Sequence, residues 1–149
     1  MAFRIIADSS CDIFDIDNKP ANLYFNTVPF VITVDGKDFV DNENLDVNEL
    51  VEAMAASKRS HTSCPSPADW IREFGEEGDV FAITISSNLS GSYNSACTAK
   101  EMVLENNPDR NIEILDSRGT GPSLSMSIDK LQDLIAAGLK FEEVKAEIH

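Results

Sequence analysis

Three short apolar runs in this chain each end on a polar cluster, and that pattern constrains the fold most. FRIIAD (Phe3–Asp8) leads into SSCD, VFAITI leads into SSNLSG, and NIEILD leads into SRGTG. Each run has the length of one buried strand. Helical periodicity separates them. Leu45, Leu50, Val51 and Met54 recur near 3.6 spacing between Asn44 and Lys58, with Asp46 as the expected N-cap. Pro67 suits the first turn of a helix running to about Phe74. SGSYNSACTAKEMVLEN reads as helix in its second half, with Ala96, Ala99, Met102 and Val103 facing inward. Leu124, Ile128, Leu131 and Leu134 or Ile135 mark another helix, closed by Gly138, and Phe141 to Ile148 one more. Leu23 to Val34 is rich in β-branched and aromatic residues, and Asp35-Gly36 then supplies a hairpin turn before KDFVD. Arg59 to Trp70, with two prolines, reads as a loop.

Strands alternating with helices predict an α/β domain with a mostly parallel sheet. Ligands of such sheets bind beyond the carboxyl ends of the strands. The three polar clusters belong to that edge. The TSCPSP segment is a fourth cluster, expected to converge on the same rim.

Composition narrows the partners. The chain has 149 residues, enough for one domain with its own core, and a net charge of −14. That charge argues against nucleic acid or an anionic membrane surface. No apolar run reaches bilayer length, so no integral membrane segment is expected. The first residues lack a signal peptide's basic start and apolar stretch, which makes the cytoplasm the expected location. The three cysteines, Cys11, Cys64 and Cys97, are widely spaced and read as reduced thiols. His61 and Cys64 alone do not make a zinc site.

The densest chemistry lies between Val80 and Ala99, which holds Ser86, Ser87, Ser90, Ser92 and Ser95 and no charged side chain. A helix starting near Ser90 or Gly91 leaves its first amides unpaired, and these favour an anion. Gly91 lets a ligand approach the backbone, and the hydroxyls add donors. The same serines also serve as caps and turn residues. A phosphate loop would carry GK[ST] or nearby cations, yet Arg72 is the only Lys or Arg between His61 and Ala99. A singly charged carboxylate fits such donors better. A serine hydrolase using Ser90 or Ser92 would need His61 as base, and the G-x-S-x-G elbow is missing. A binder of another small carboxylate or of a phosphorylated metabolite stays open beside it. Asp8 and Asp116 each end a strand before a serine, Ser9 and Ser117. As a metal pair they lack a third ligand of diagnostic spacing. Their expected role is to accept loop amide hydrogen bonds and brace the rim. Neither a metal nor another cofactor is expected.

Taken together, IADSSCD, VPFVITVDGKDFVD, TSCPSPADW, ITISSNLSGSYNSA and ILDSRG, in that order, resemble the DegV family of bacterial proteins. The resemblance spans nearly the whole chain. It implies a three-layer α/β/α domain and a protein that binds a long-chain fatty acid without turning it over. Some members are the fatty-acid-binding subunit of bacterial fatty acid kinase, presenting the carboxylate to a separate kinase subunit. By that resemblance Thr62 and Ser90 hold the carboxylate, helped by amides around Ser63, Gly91 and Ser92. Members usually continue into a second lobe that helps enclose the acyl chain. Residues 1–149 are therefore expected to be the N-terminal lobe, with the C-terminal lobe absent from this chain. The RGTGPSLSMS segment, with Pro122 and an extra glycine, departs from the family's pattern.

Overall fold

A computed structural model describes residues 2–149. Its centre is a parallel sheet of β1 (Phe3–Asp8), β2 (Leu23–Val28), β6 (Asp79–Thr84) and β7 (Ile112–Asp116), in the order β2-β1-β6-β7. The inner strands β1 and β6 are covered on both faces, which is why apolar residues run consecutively through their middles rather than alternating.

Side-chain alternation then divides the core. Ile6, Val80, Ala82 and Ile114 face α2 (Pro67–Phe74) and α3 (Ser92–Asn106), against Trp70, Phe74, Ala96 and Ala99. Ile5, Phe81, Ile83 and Leu115 face α4 (Gly121–Ala136) and α5 (Phe141–Ile148), against Leu124, Ile128, Leu131 and Val144. The result is three layers, helices–sheet–helices, as expected. In α4, Ile135 is buried and Leu134 packs at the margin. That helix begins at Gly121, with Pro122 in its first turn.

The segment between β2 and α2 folds separately. β3 (Val31–Val34), β4 (Lys37–Val40) and β5 (Ser60–Ser63) form an antiparallel sheet in the order β4-β3-β5. Asp35 and Gly36 both have positive φ, 49° and 85°, the type I′ turn that a two-residue hairpin prefers. α1 (Val47–Ala56) starts at the expected cap, where Asp46 accepts from the Glu49 amide at 3.0 Å. Val34, Phe39 and Leu50 form its small core, and Val47, Val51 and Met54 stay exposed.

Three expectations change. The β-rich run Leu23–Val34 is two strands of two sheets, broken at Pro29, which has no amide to continue the ladder. The segment read as a loop from Arg59 begins with strand β5, whose four residues are all exposed. Met102 faces solvent, 46% exposed, because α3 turns only a narrow stripe of small residues to the sheet.

Candidate functional site

The carboxyl ends of β1, β6 and β7 form one rim, and a buried carboxylate organises it. Asp8 is fully buried. Its Oδ1 accepts from the Ser10 amide at 3.2 Å and from the Ser10 hydroxyl. Its Oδ2 accepts from the Ile85 amide and from the Ser92 hydroxyl, each at 2.8 Å. Donors from three separate segments thus meet on one side chain. Burial pushes its pKa up, and these hydrogen bonds pull it only part of the way back.

The serine cluster is divided by these bonds. Ser92 is buried, with its hydroxyl committed to Asp8 and its amide donating to Ser90 Oγ at 3.2 Å. Ser86 is buried too; its carbonyl accepts from the Leu89 and Ser90 amides at 2.9 and 3.2 Å, and its hydroxyl accepts from the Asn88 amide at 3.3 Å. Ser87 donates from its hydroxyl to Asp116 Oδ2 at 2.6 Å and from its amide to Oδ1 at 3.2 Å. Ser90 alone is half-buried at the turn, and among the described residues its hydroxyl donates to none. Below it Gly91 is the N-cap of α3 and supplies no side-chain cap, and the first intrahelical bond is Ser95 N–H to Gly91 O at 3.0 Å. The Tyr93 and Asn94 amides precede that bond, so the helix end offers unpaired donors beside the Ser90 hydroxyl.

The other rim residues hold loops together. Ser9 Oγ accepts from the Phe30 amide at 3.0 Å, tying β1 to the antiparallel segment. The Ser117 amide donates to Thr84 O at 3.1 Å, and its hydroxyl bridges to Gly119. Asp116 also accepts the Arg118 amide at 2.9 Å. Burial works against its ionisation, but the Ser87 and Arg118 contacts outweigh that and hold its pKa below the ordinary value. Asp8 and Asp116 therefore serve different loops rather than a shared ion. Among the described residues no three His, Cys, Asp or Glu side chains gather as a metal cluster.

Thr62 and Ser63 are exposed on the edge strand β5, opposite Ile32 and Val31. Neighbouring strand residues point to opposite faces, so the two side chains cannot line one pocket together. The link to the serine turn is Cys64, whose Sγ lies 3.5 Å from where a Cβ at Gly91 would sit. Gly91 itself has φ −75°, open to any residue. His61 lines a separate 390 Å³ cleft with Thr33, Asp35, Gly36 and Arg59. It is no partner of Ser90 or Ser92, and His149 sits on Glu113 at 2.8 Å. Sequence reasoning overlooked Arg118, an exposed cation at φ +55° in the polar cluster that ends β7. It lines a 300 Å³ cleft with Asp116, Ser117 and Ser127. Its signal lies in SRGTG, where it is the one basic residue.

Comparison with known proteins places this geometry. The family model for DegV, described as an uncharacterised protein family, matches residues 2–149. The chain belongs to the DegV family. A DegV domain-containing protein of Streptococcus pneumoniae is 42% identical over 145 residues, covering 97% of this chain and 52% of the relative. The crystal structure of the S. pneumoniae Fatty Acid Kinase (Fak) B3 protein loaded with linoleic acid superposes with a TM-score of 0.96 at 42% identity, covering 99% of this chain and 53% of that one. A DegV family protein from Eubacterium eligens loaded with heptadecanoic acid gives 0.92 at 36% identity, covering 99% and 52%. The chain spans about half the length of the relatives it matches. Among the described residues no helix is long and apolar enough to cross a membrane.

Proposed function

We propose that this DegV chain holds the carboxylate of a long-chain fatty acid at the Ser90 turn and presents it to a separate kinase subunit, without turnover of its own. The observation that carries the reading is the Ser90 hydroxyl, whose proton has no acceptor among the described residues, beside the uncapped start of α3. The relatives solved with linoleic and heptadecanoic acid supply the ligand class. Thr62 is the second hydroxyl: it lies on β5 two residues before Cys64, the residue against Gly91. Ser63 belongs to the other face of that strand. Ser92 acts from beneath, by fixing the turn, since its own proton goes to Asp8.

Head group and tail divide the work. Each methylene removed from water is worth about 0.8 kcal/mol, so a long tail gains on the order of 10 kcal/mol gross. A helix end gives about 0.3–1 kcal/mol. The tail supplies affinity and the rim supplies orientation. Residues 2–149 form one lobe of this arrangement and enclose only part of the tail, in keeping with their covering about half of each relative.

Oleate titration followed by native mass spectrometry tests the reading. The isolated chain is expected to bind weakly but saturably, and Ser90→Ala is expected to weaken binding by roughly tenfold, the loss of one hydrogen bond to a charged group. Equal binding by wild type and Ser90→Ala would remove the head-group assignment. Tight one-to-one retention of oleate by this chain would show that it encloses the tail unaided.

A further inference from the structure

Two hydrogen bonds connect the hydroxyl at the rim to a carboxylate in the core. The Ser92 amide donates to Ser90 Oγ at 3.2 Å, and the Ser92 hydroxyl donates to Asp8 Oδ2 at 2.8 Å. Asp8 is 0% exposed, and all its donors are neutral: Ser10, Ile85 and Ser92. Among the described residues no cation bonds to Asp8. β2 contributes Val28 as its direct neighbour. The turn after β1 contributes Cys11, whose thiol is pushed up to about 11 by burial, and then the acidic, exposed Asp12. α4 meets that turn through Gly121 and Ser125, which lie on Asp12 and Cys11. β6 and α3 contribute Ile85 and Ser92. Arg118, at the end of β7, bonds Asp116 through its backbone amide, and its side chain is exposed.

A fatty acid carboxylate at Ser90 would bring a second negative charge to the same poorly solvated rim. Two carboxylates so placed resist both being ionised, and the cheapest relief is one shared proton. We infer that Asp8 is a proton-coupled positioning residue, so that this chain takes up a carboxylate ligand and a proton together. This rests on the carboxylate-binding reading above. The proton comes from solvent and adds to Asp8 Oδ2, whose remaining lone pair keeps the Ile85 amide. The Asp8–Ser92 bond then reverses: Asp8 donates to Ser92 Oγ, and the Ser92 proton turns toward Ser90 and the arriving anion. With Asp8 ionised that proton points inward. Burial already raises the pKa of Asp8, which leaves it ready for this step.

Calorimetric titration of the chain with decanoate, in two buffers of different ionisation enthalpy, measures the proton count directly. Uptake approaching one proton per decanoate is expected. Between about pH 6 and about pH 9, above the range in which decanoate itself titrates, Kd should rise by up to about tenfold per pH unit over the window that Asp8 traverses. Asp8→Asn should abolish both the uptake and the slope, which a purely structural loss would not do. Decanol, uncharged, should bind with no proton linkage in either protein. Decanoate binding without proton uptake by the wild type, or with the same pH slope in Asp8→Asn, would overturn the inference and leave the fatty acid reading intact. Failure of decanoate and oleate to bind at any pH would overturn both. The wild-type proton count stands even if Asp8→Asn does not fold.

Discussion

Two strands of the parallel sheet, one inner and one at the edge, end alike and behave in opposite ways. β1 closes on Asp8-Ser9 and β7 on Asp116-Ser117. Asp8 is sealed off, met by neutral donors from three segments, and burial raises its pKa. Asp116 is half-exposed, and its Ser87 and Arg118 partners overcome burial to lower its pKa. The difference comes from strand position. β1 lies between β2 and β6, so chain from both sides folds over its end; β7 is an edge strand with β6 on one side only. An aspartate at a strand's end thus becomes an internal organiser or a surface brace according to how many neighbours its strand has.

The largest expected contrast is in stability. Asp8→Ala leaves the Ile85 amide and the Ser92 and Ser10 hydroxyls without their acceptor inside the protein, and should cost about 3 kcal/mol. Asp116→Ala exposes its donors to water and should cost about 1 kcal/mol or less. Urea unfolding of the two variants checks the ranking, and similar midpoints would break the comparison.

Acidification should separate the two carboxylates by sign. Asp116 has a lowered folded pKa, so its stabilisation is present above the unfolded value near pH 4 and is lost as pH falls through the folded one. Glu113 behaves the same way, with burial outweighed by His149, Lys100 and Lys145. Asp8, raised, contributes stability that is complete below about pH 4 and lost as pH rises through its folded pKa. The terms oppose each other in acid. Each is limited to about 1.4 kcal/mol per pH unit. Unfolding free energies between about pH 3 and about pH 7 should fall more steeply on acidification in Asp8→Asn than in wild type, and less steeply in Asp116→Asn. Parallel curves would show that the two sites titrate alike.

Why the sequence revealed one layer of this and hid another follows from the same contrast. The parallel sheet was legible because FRIIAD and VFAITI are apolar on both faces, and the periodic leucines and isoleucines of α4 show which side packs on them. Strand β5 was not. SHTS is an edge strand with every residue exposed, so it carries no apolar alternation, and only its pairing with β3 makes it a strand. Within the rim, the cluster could be placed but its members could not be ranked. Ser90 and Ser92 look equivalent in LSGSY. What separates them is Asp8, 84 residues from Ser92 in sequence, which buries one hydroxyl and leaves the other free. Gly91 was read as a glycine that lets a ligand near, and its backbone turns out to need no glycine at all.

That last point gives the smallest expected effect and the finest test of the rim. At φ −75° Gly91 tolerates a side chain, and an added Cβ would meet the Cys64 Sγ at 3.5 Å, an ordinary contact. Gly91→Ala should therefore change stability by no more than about 0.5 kcal/mol, a surface-like value despite its place between the Ser90 turn and the Cys64 loop. A ligand whose carboxylate lies against the start of α3 meets that same Cβ from the other side. Loss of oleate binding in a Gly91→Ala protein of unchanged stability would show that the glycine is kept for ligand approach. Binding unchanged with stability unchanged would move the carboxylate away from the helix start and toward the Ser90 and Thr62 hydroxyls alone.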